Sequence, residues 1–145
     1  MKRSILFALV LALPACQVLS SIGLGGEPAP ETATESAAAR VVDAQVEAYN
    51  RHDLDAFLAL YARNARIYLH PSQLVASGTD ALRTRYRTQW RENPRLRVEV
   101  TRRMVQGAYV IDHEHSVGWA DGQDVRVVAI YEVRGGRIQN VWFIR

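Results

Sequence analysis

At Pro94 the periodicity of the apolar residues changes, and it does not change back. Upstream the pattern is helical. Val42, Val46 and Tyr49 fall at i, i+4 and i+7 on one helix face, and Thr32 and Glu35 are spaced for a capping box just before it. Asp53 reads as the N-cap of a second, short helix whose buried face is Leu54, Phe57, Leu58 and Tyr61. Residues 65–70 alternate as a short strand and stop at Pro71. Gly78 and Thr79 open a third helix over 80–92, with Leu82, Tyr86 and Trp90 on one face, and Asn93-Pro94 ends it. Downstream the period is two: Leu96, Val98 and Val100 alternate with Arg97, Glu99 and Thr101. Strands over 108–119, 125–134 and 137–145 follow, separated by Gln106-Gly107, Asp121-Gly122 and Gly135-Gly136. The expectation is an α+β domain, three helices packed on one face of a curved antiparallel sheet.

The chemistry-bearing stretch is VIDHEHSVGW, residues 110–119. Side chains alternate across a strand, so Tyr109, Ile111, His113, His115, Val117 and Trp119 share one face, and Asp112, Glu114 and Ser116 the other. The face with the aromatics is the natural pocket lining, which sets His113 and His115 looking inward, towards His70. A three-histidine metal site is one reading. Nothing else on that face in sequence adds a ligand, so no metal and no cofactor is assigned. Tyr49, Tyr61, Tyr68, Trp90, Trp119, Tyr131 and Trp142 are candidates for an aromatic pocket, with Asn140 offering an amide beside Trp142; such residues also serve as plain core. His52, at the turn before Asp53, is expected to be exposed.

The N-terminus carries an address. Lys2 and Arg3 precede an apolar run, residues 5–13, too short for the roughly 20 residues of a spanning helix. Leu13-Pro14-Ala15-Cys16 resembles a bacterial lipobox, in which cleavage precedes the Cys and the thiol is acylated. Cys16 is the single cysteine, so no internal disulfide forms, and two acyl chains on it would hold a membrane stably. Residues 16–35, rich in Gly, Pro, Ser, Thr and Ala, read as a tether with a span of roughly 25 Å. The division is therefore a signal peptide, 1–15, a tether, 16–35, and one domain, 36–145. The expected location is the bacterial envelope, lipid-anchored at the periplasmic side of the outer membrane, or otherwise secreted. Of the net charge of +3, two units belong to Lys2 and Arg3, which with an exported address argues against nucleic acid. Arg83, Arg87 and Arg91 recur at helical spacing as a solvated helix face.

The order of elements, with NRHDLDAFLALYARNARIYLHP, GTDALRTRY and VVAIYEVRGGRIQNVWFIR, resembles the nuclear transport factor 2-like superfamily, in its SnoaL-like and ketosteroid-isomerase-like branch. The resemblance covers the domain from about Ala37 to Arg145 and implies a cone, a bent sheet around the long helix with a pocket at its open end. It also implies isomerases, cyclases, dehydratases and non-catalytic binding or dimerisation modules, so activity must be argued from the site. Ketosteroid isomerases carry a general-base Asp before the Pro that ends the first strand, where this chain has His70. They carry an oxyanion-holding Tyr on the first helix, here Gln45 with Tyr49 one turn on, and a protonated Asp on the third meander strand, here Ile130 or its neighbours. None of the three is kept. Dehydratases of the superfamily use paired histidines near tyrosines, which implies acid–base roles for His70, His113 and His115.

Three function classes remain. The leading one is a lipid-anchored envelope protein binding a small apolar organic molecule in the pocket, without established catalysis. The second is a cofactor-independent dehydratase or isomerase using the three histidines. The third is a structural module forming a homodimer through the sheet.

Overall fold

The computed structural model describes residues 32–145, so the expected signal peptide, the lipobox-like stretch with Cys16 and most of the expected tether lie outside the described residues. Helix α1, Ala33–Asn50, starts where the capping box closes: Thr32 Oγ1 accepts from the Glu35 N–H, and Glu35 returns a carboxylate to the Thr32 N–H. Asp53 caps α2, Leu54–Ala59, by accepting from the Ala56 N–H. Then come β1 (Tyr61–Leu69), β2 (Gln73–Ser77), α3 (Thr79–Glu92), β3 (Arg97–Gln106), β4 (Tyr109–Val117), β5 (Val125–Arg134) and β6 (Arg137–Ile144). Among the described residues no helix is long and apolar enough to cross a membrane.

The α+β plan of helices on a curved sheet is as expected, with two additions. The sheet has six strands in the order β2-β1-β6-β5-β4-β3. Strand β2 was not anticipated, because its Gln73, Leu74 and Ser77 are exposed and give no clear alternation. It pairs antiparallel with β1, which in turn joins β6 in parallel, so the sheet is mixed and not purely antiparallel. A parallel seam between the first and last strands is a tertiary event with no local signal.

Helix α1 is tied along β3 at three points. Glu35 Oε1 accepts from the Gly107 N–H at 3.0 Å, Asp43 receives Arg103, and the Asn50 amide bridges the main-chain N–H and C=O of Val98 at 2.8 and 2.9 Å. Between helices and sheet the core holds Val42, Phe57, Ile67, Leu82, Leu96 and Val141, all essentially without solvent exposure. At its helical side a cluster of rings forms: Phe57 lies 4.5 Å from Tyr86 and 4.9 Å from Tyr61 between centroids, and Tyr49 lies 5.3 Å from Trp90. His52, expected outside, is half-buried instead: it stacks on Trp90 at 5.1 Å and its Nε2 lies 2.7 Å from the Leu96 carbonyl.

One irregularity sets which side chains face inward. The β3–β4 register shifts between Val100 and Arg102, leaving Thr101 as the extra residue of a bulge, its hydroxyl donating to the His113 carbonyl. Before the bulge Val98 and Val100 face the helices, and after it Arg103 and Val105 do.

Candidate functional site

Because of this register, the inner face of β4 is Val110, Asp112, Glu114 and Ser116, at 0%, 0%, 5% and 6% exposure. This reverses the expected assignment of faces, and each polar group finds its own partner. Asp112 takes a two-pronged contact from Arg103, Nε to Oδ1 at 2.7 Å and an Nη to Oδ2 at 2.8 Å. Those bonds hold Arg103 protonated, its pKa raised above an already high ordinary value. Glu114 accepts a 2.6 Å bond from the Tyr131 hydroxyl, and Ser116 Oγ accepts from Trp119 Nε1 at 3.1 Å.

Glu114 and Ser116 look into a cavity of about 300 Å³. Its walls are Val46 of α1, Val75 of β2, Val98 of β3, Val125 and Val127 of β5, and Leu69 and Phe143 at the ends of β1 and β6. Gln45, Tyr49, Tyr86, Gln89 and Tyr131 supply polar atoms, and Arg85 and Arg145 complete the lining. Trp119 enters because β4 stops at Val117 and Gly118 turns the chain at φ +84°. A Cβ there would stand 2.1 Å from the Arg95 carbonyl oxygen, so only glycine lets the two segments approach.

The electrostatics centre on Glu114. Burial pushes its carboxyl up to about 7, against the pull of the Tyr131 hydrogen bond, and the nearby Asp112 charge adds to the rise. The same burial raises the phenols of Tyr49, Tyr61, Tyr86 and Tyr131, and the Glu114 charge raises each further. Below about pH 7 the interior is therefore mostly neutral and hydrogen-bonding. A carboxyl poised near neutrality can donate a proton as well as accept one. At the deep end Gln45 donates Nε2–H to the Tyr61 hydroxyl at 3.2 Å, while its Oε1 is buried without a partner among the described residues.

Of the residues anticipated for the pocket, Tyr49, Trp119 and Tyr131 line the cavity. Tyr61 and Trp90 belong to the core behind it. Tyr68, Trp142 and Asn140 sit on the opposite face: Tyr68 stacks on Trp142 at 5.9 Å, and Asn140 donates to Glu132 at 2.7 Å. None of the three histidines lines the cavity. His70 and His113 are exposed, and His115 meets Asp124 at 3.1 Å on the outer side. Among the described residues no group of three or more His, Cys, Asp and Glu is placed to hold a metal ion. Glu114 is not among the anticipated functional residues because the aromatics Tyr109 and Trp119 suggest the other parity for β4, and Gln45 of α1 enters the sequence reading only as the residue at the isomerase Tyr position. Tyr109 is exposed, and Trp119 lies beyond the strand, out of its phase.

The profile of the SnoaL-like domain family matches residues 42–141, and the chain belongs to that family. No curated protein matches it. Among solved structures it is similar to an uncharacterized cystatin-fold protein from Novosphingobium aromaticivorans, with 24% identity, a TM-score of 0.70, and 74% of this chain and 97% of that one covered. It is similar to a "putative SnoaL-like polyketide cyclase" from Jannaschia sp. CCS1 (18% identity, TM-score 0.67, 81% and 90% covered). It is also similar to a "putative ketosteroid isomerase" from Kribbella flavida (19% identity, TM-score 0.65, 76% and 78% covered). At these identities the likeness is one of fold.

The raised Glu114 has a consequence for stability. An unfolded carboxyl releases its proton near pH 4.5, the folded one near 7, so the folded state binds the extra proton between those values. The group's contribution is whole below about pH 4.5 and is lost as pH rises through 7. Between pH 5 and pH 8 urea unfolding of the wild type should lose about 2 to 3 kcal/mol on this account, a loss absent from Glu114→Gln. Equal slopes in the two proteins would refute a protonated, buried Glu114.

Proposed function

We propose that the domain is a receptacle for a small, largely apolar organic molecule, held in the cavity with one polar group against Gln45 and Glu114. The observation that carries this reading is the cavity itself, about 300 Å³, walled by valines, Leu69 and Phe143. That volume is at the lower end of the range of small-molecule pockets, roughly 300–1,000 Å³. The isomerase and cyclase names of similar structures are consistent with organic ligands in such a fold. Acid–base catalysis by His70, His113 and His115 has no support from their placement, since their imidazoles lie outside the cavity. Val127→Trp fills the cavity from β5. The wild type should enhance the fluorescence of the neutral probe N-phenyl-1-naphthylamine, and the variant, folded by circular dichroism, should not. Undiminished enhancement in the variant would sink the reading.

The anchored location rests on the sequence around Cys16. Mass spectrometry of the mature protein from a bacterial host should find an N-terminal, diacylglyceryl-modified Cys16. An unmodified terminus elsewhere rules the anchor out.

The same reading includes a homodimer formed through the sheet. On the face turned from the helices, Met104, Ile111, Ile130, Trp142 and Tyr68 form one row, each in register with the next across five strands. Met104 is 58% exposed, and Ile130 stands on the middle strand of the five. Sedimentation equilibrium should give a dimer for the wild type and a monomer for Ile130→Arg; a monomeric wild type at tens of micromolar would dispose of the pairing.

A further inference from the structure

We propose that the ligand is an amphipathic organic anion, its acid group paired with Arg85 at the cavity rim and a hydroxyl at its far end donating to Gln45. This rests on the binding reading and names the chemical class that the cavity selects.

The rim supplies the first argument. Arg85 lines the cavity while remaining exposed, and among the described residues no carboxylate lies within ion-pair distance of it. Arg83, two residues earlier on α3, is already held by Asp55 at 2.8 Å, and Arg91 contacts Glu92. The Arg85 charge is also felt inside. Burial pushes the Tyr86 phenol up to about 12, and the Arg85 guanidinium pulls against that rise. Arg145 adds a second guanidinium to the lining. A guanidinium at the edge of a low-dielectric hollow is suited to a carboxylate, because the two-pronged bond forms without burying either charge completely.

Among the side chains of the lining Glu114 is the one carboxyl, and with its pKa pushed up to about 7 it is mostly neutral at pH 6 and below, where it opposes an anion little. A cationic ligand would therefore meet arginine without a compensating carboxylate, whereas an anion meets a favourable field.

The deep end sets the second requirement. Strands β1 and β6 run in parallel from Tyr61 and Ile138 at one end to Leu69 and Phe143 at the other. The phenol of Tyr61 thus lies at the floor, and Phe143 and Arg145 lie towards the mouth. Tyr61 hydrogen-bonds towards Tyr86, which uses its hydroxyl proton, and it accepts from Gln45 Nε2. Gln45 is 4% exposed, and among the described residues its Oε1 has no donor. An unsatisfied buried carbonyl is costly, and a ligand hydroxyl donating to it would remove that cost. Between the two polar ends the wall is mostly valines and rings, with Glu114 and Ser116 on one side, which fits a flat, largely apolar body.

The test compares three probes of one shape with the full-length protein by calorimetry at pH 6, where Glu114 is mostly neutral: 2-naphthoate, its neutral isostere 2-acetonaphthone, and 6-hydroxy-2-naphthoate. The naphthoate should bind about tenfold tighter than the ketone, and the hydroxynaphthoate tighter again. Arg85→Gln should weaken binding of the acid far more than binding of 2-acetonaphthone, so that the preference for the acid is lost; a circular dichroism spectrum like that of the wild type certifies the fold. Equal binding of acid and ketone, or an acid affinity indifferent to Arg85→Gln, overturns the anionic class and leaves the receptacle reading standing. A 6-hydroxyl that gains nothing overturns the role of Gln45. Binding of none of the three, together with no response to N-phenyl-1-naphthylamine, brings down both.

Discussion

Three polar side chains stand in a row on the buried face of β4, and the interior is organised around satisfying them. Asp112, Glu114 and Ser116 each sit where a strand of ordinary composition would place a valine. A buried polar group without a partner is costly, and a buried charge is worse. Each is met by a different element: Asp112 by Arg103 of β3, Glu114 by Tyr131 of β5, Ser116 by Trp119 beyond the end of β4. The three pairs differ in kind. The first is a full ion pair, extended to α1 through Asp43. The second is a neutral or singly charged hydrogen bond, and the third joins two uncharged groups.

This gradient accounts for what each end of the interior can do. The Asp112–Arg103 pair is closed, with both prongs used, and serves to register β3, β4 and α1 against one another. Removing one partner from such a pair typically costs about 3–5 kcal/mol, because the other charge is left stranded. Glu114 is different: one of its oxygens holds Tyr131 and the carboxyl borders open space. Its acidity is accordingly the most perturbed among the carboxyls in the direction that favours the proton. The tyrosines around it remain neutral for the same reason. Polarity in this cavity thus comes from hydrogen-bonding groups without fixed anions, next to guanidinium groups at the mouth.

The sequence made the outline legible wherever the determinant was local. Thr32 and Glu35 announced a capping box and Asp53 a cap, and both are formed. The change of period at Pro94 announced the sheet, and the order of motifs announced the family. What could not be read were relations between distant segments: the parallel pairing of β1 with β6, the exposed strand β2, and above all the phase of β4. Continuing the register of the tight Gln106–Tyr109 hairpin without interruption would set Val100 opposite His115 and Val98 opposite Val117. The bulge at Thr101 sets them opposite Glu114 and Ser116 instead. A one-residue slip exchanges the two faces of a strand. The imidazoles therefore lie outside and the carboxyls inside, and no alternation of apolar residues within β4 itself marks the difference.

The surplus residue at Thr101 also gives β3 two phases on a single wall. Even-numbered positions contribute Val98 and Val100 near the mouth, and odd-numbered ones contribute Arg103 and Val105 further in. Tolerance to substitution along this strand must change step at Thr101, so an ungapped comparison with a relative lacking the extra residue would match inward side chains to outward ones. A single insertion or deletion here would exchange the side chains that β3 presents to the hollow without substituting any of them.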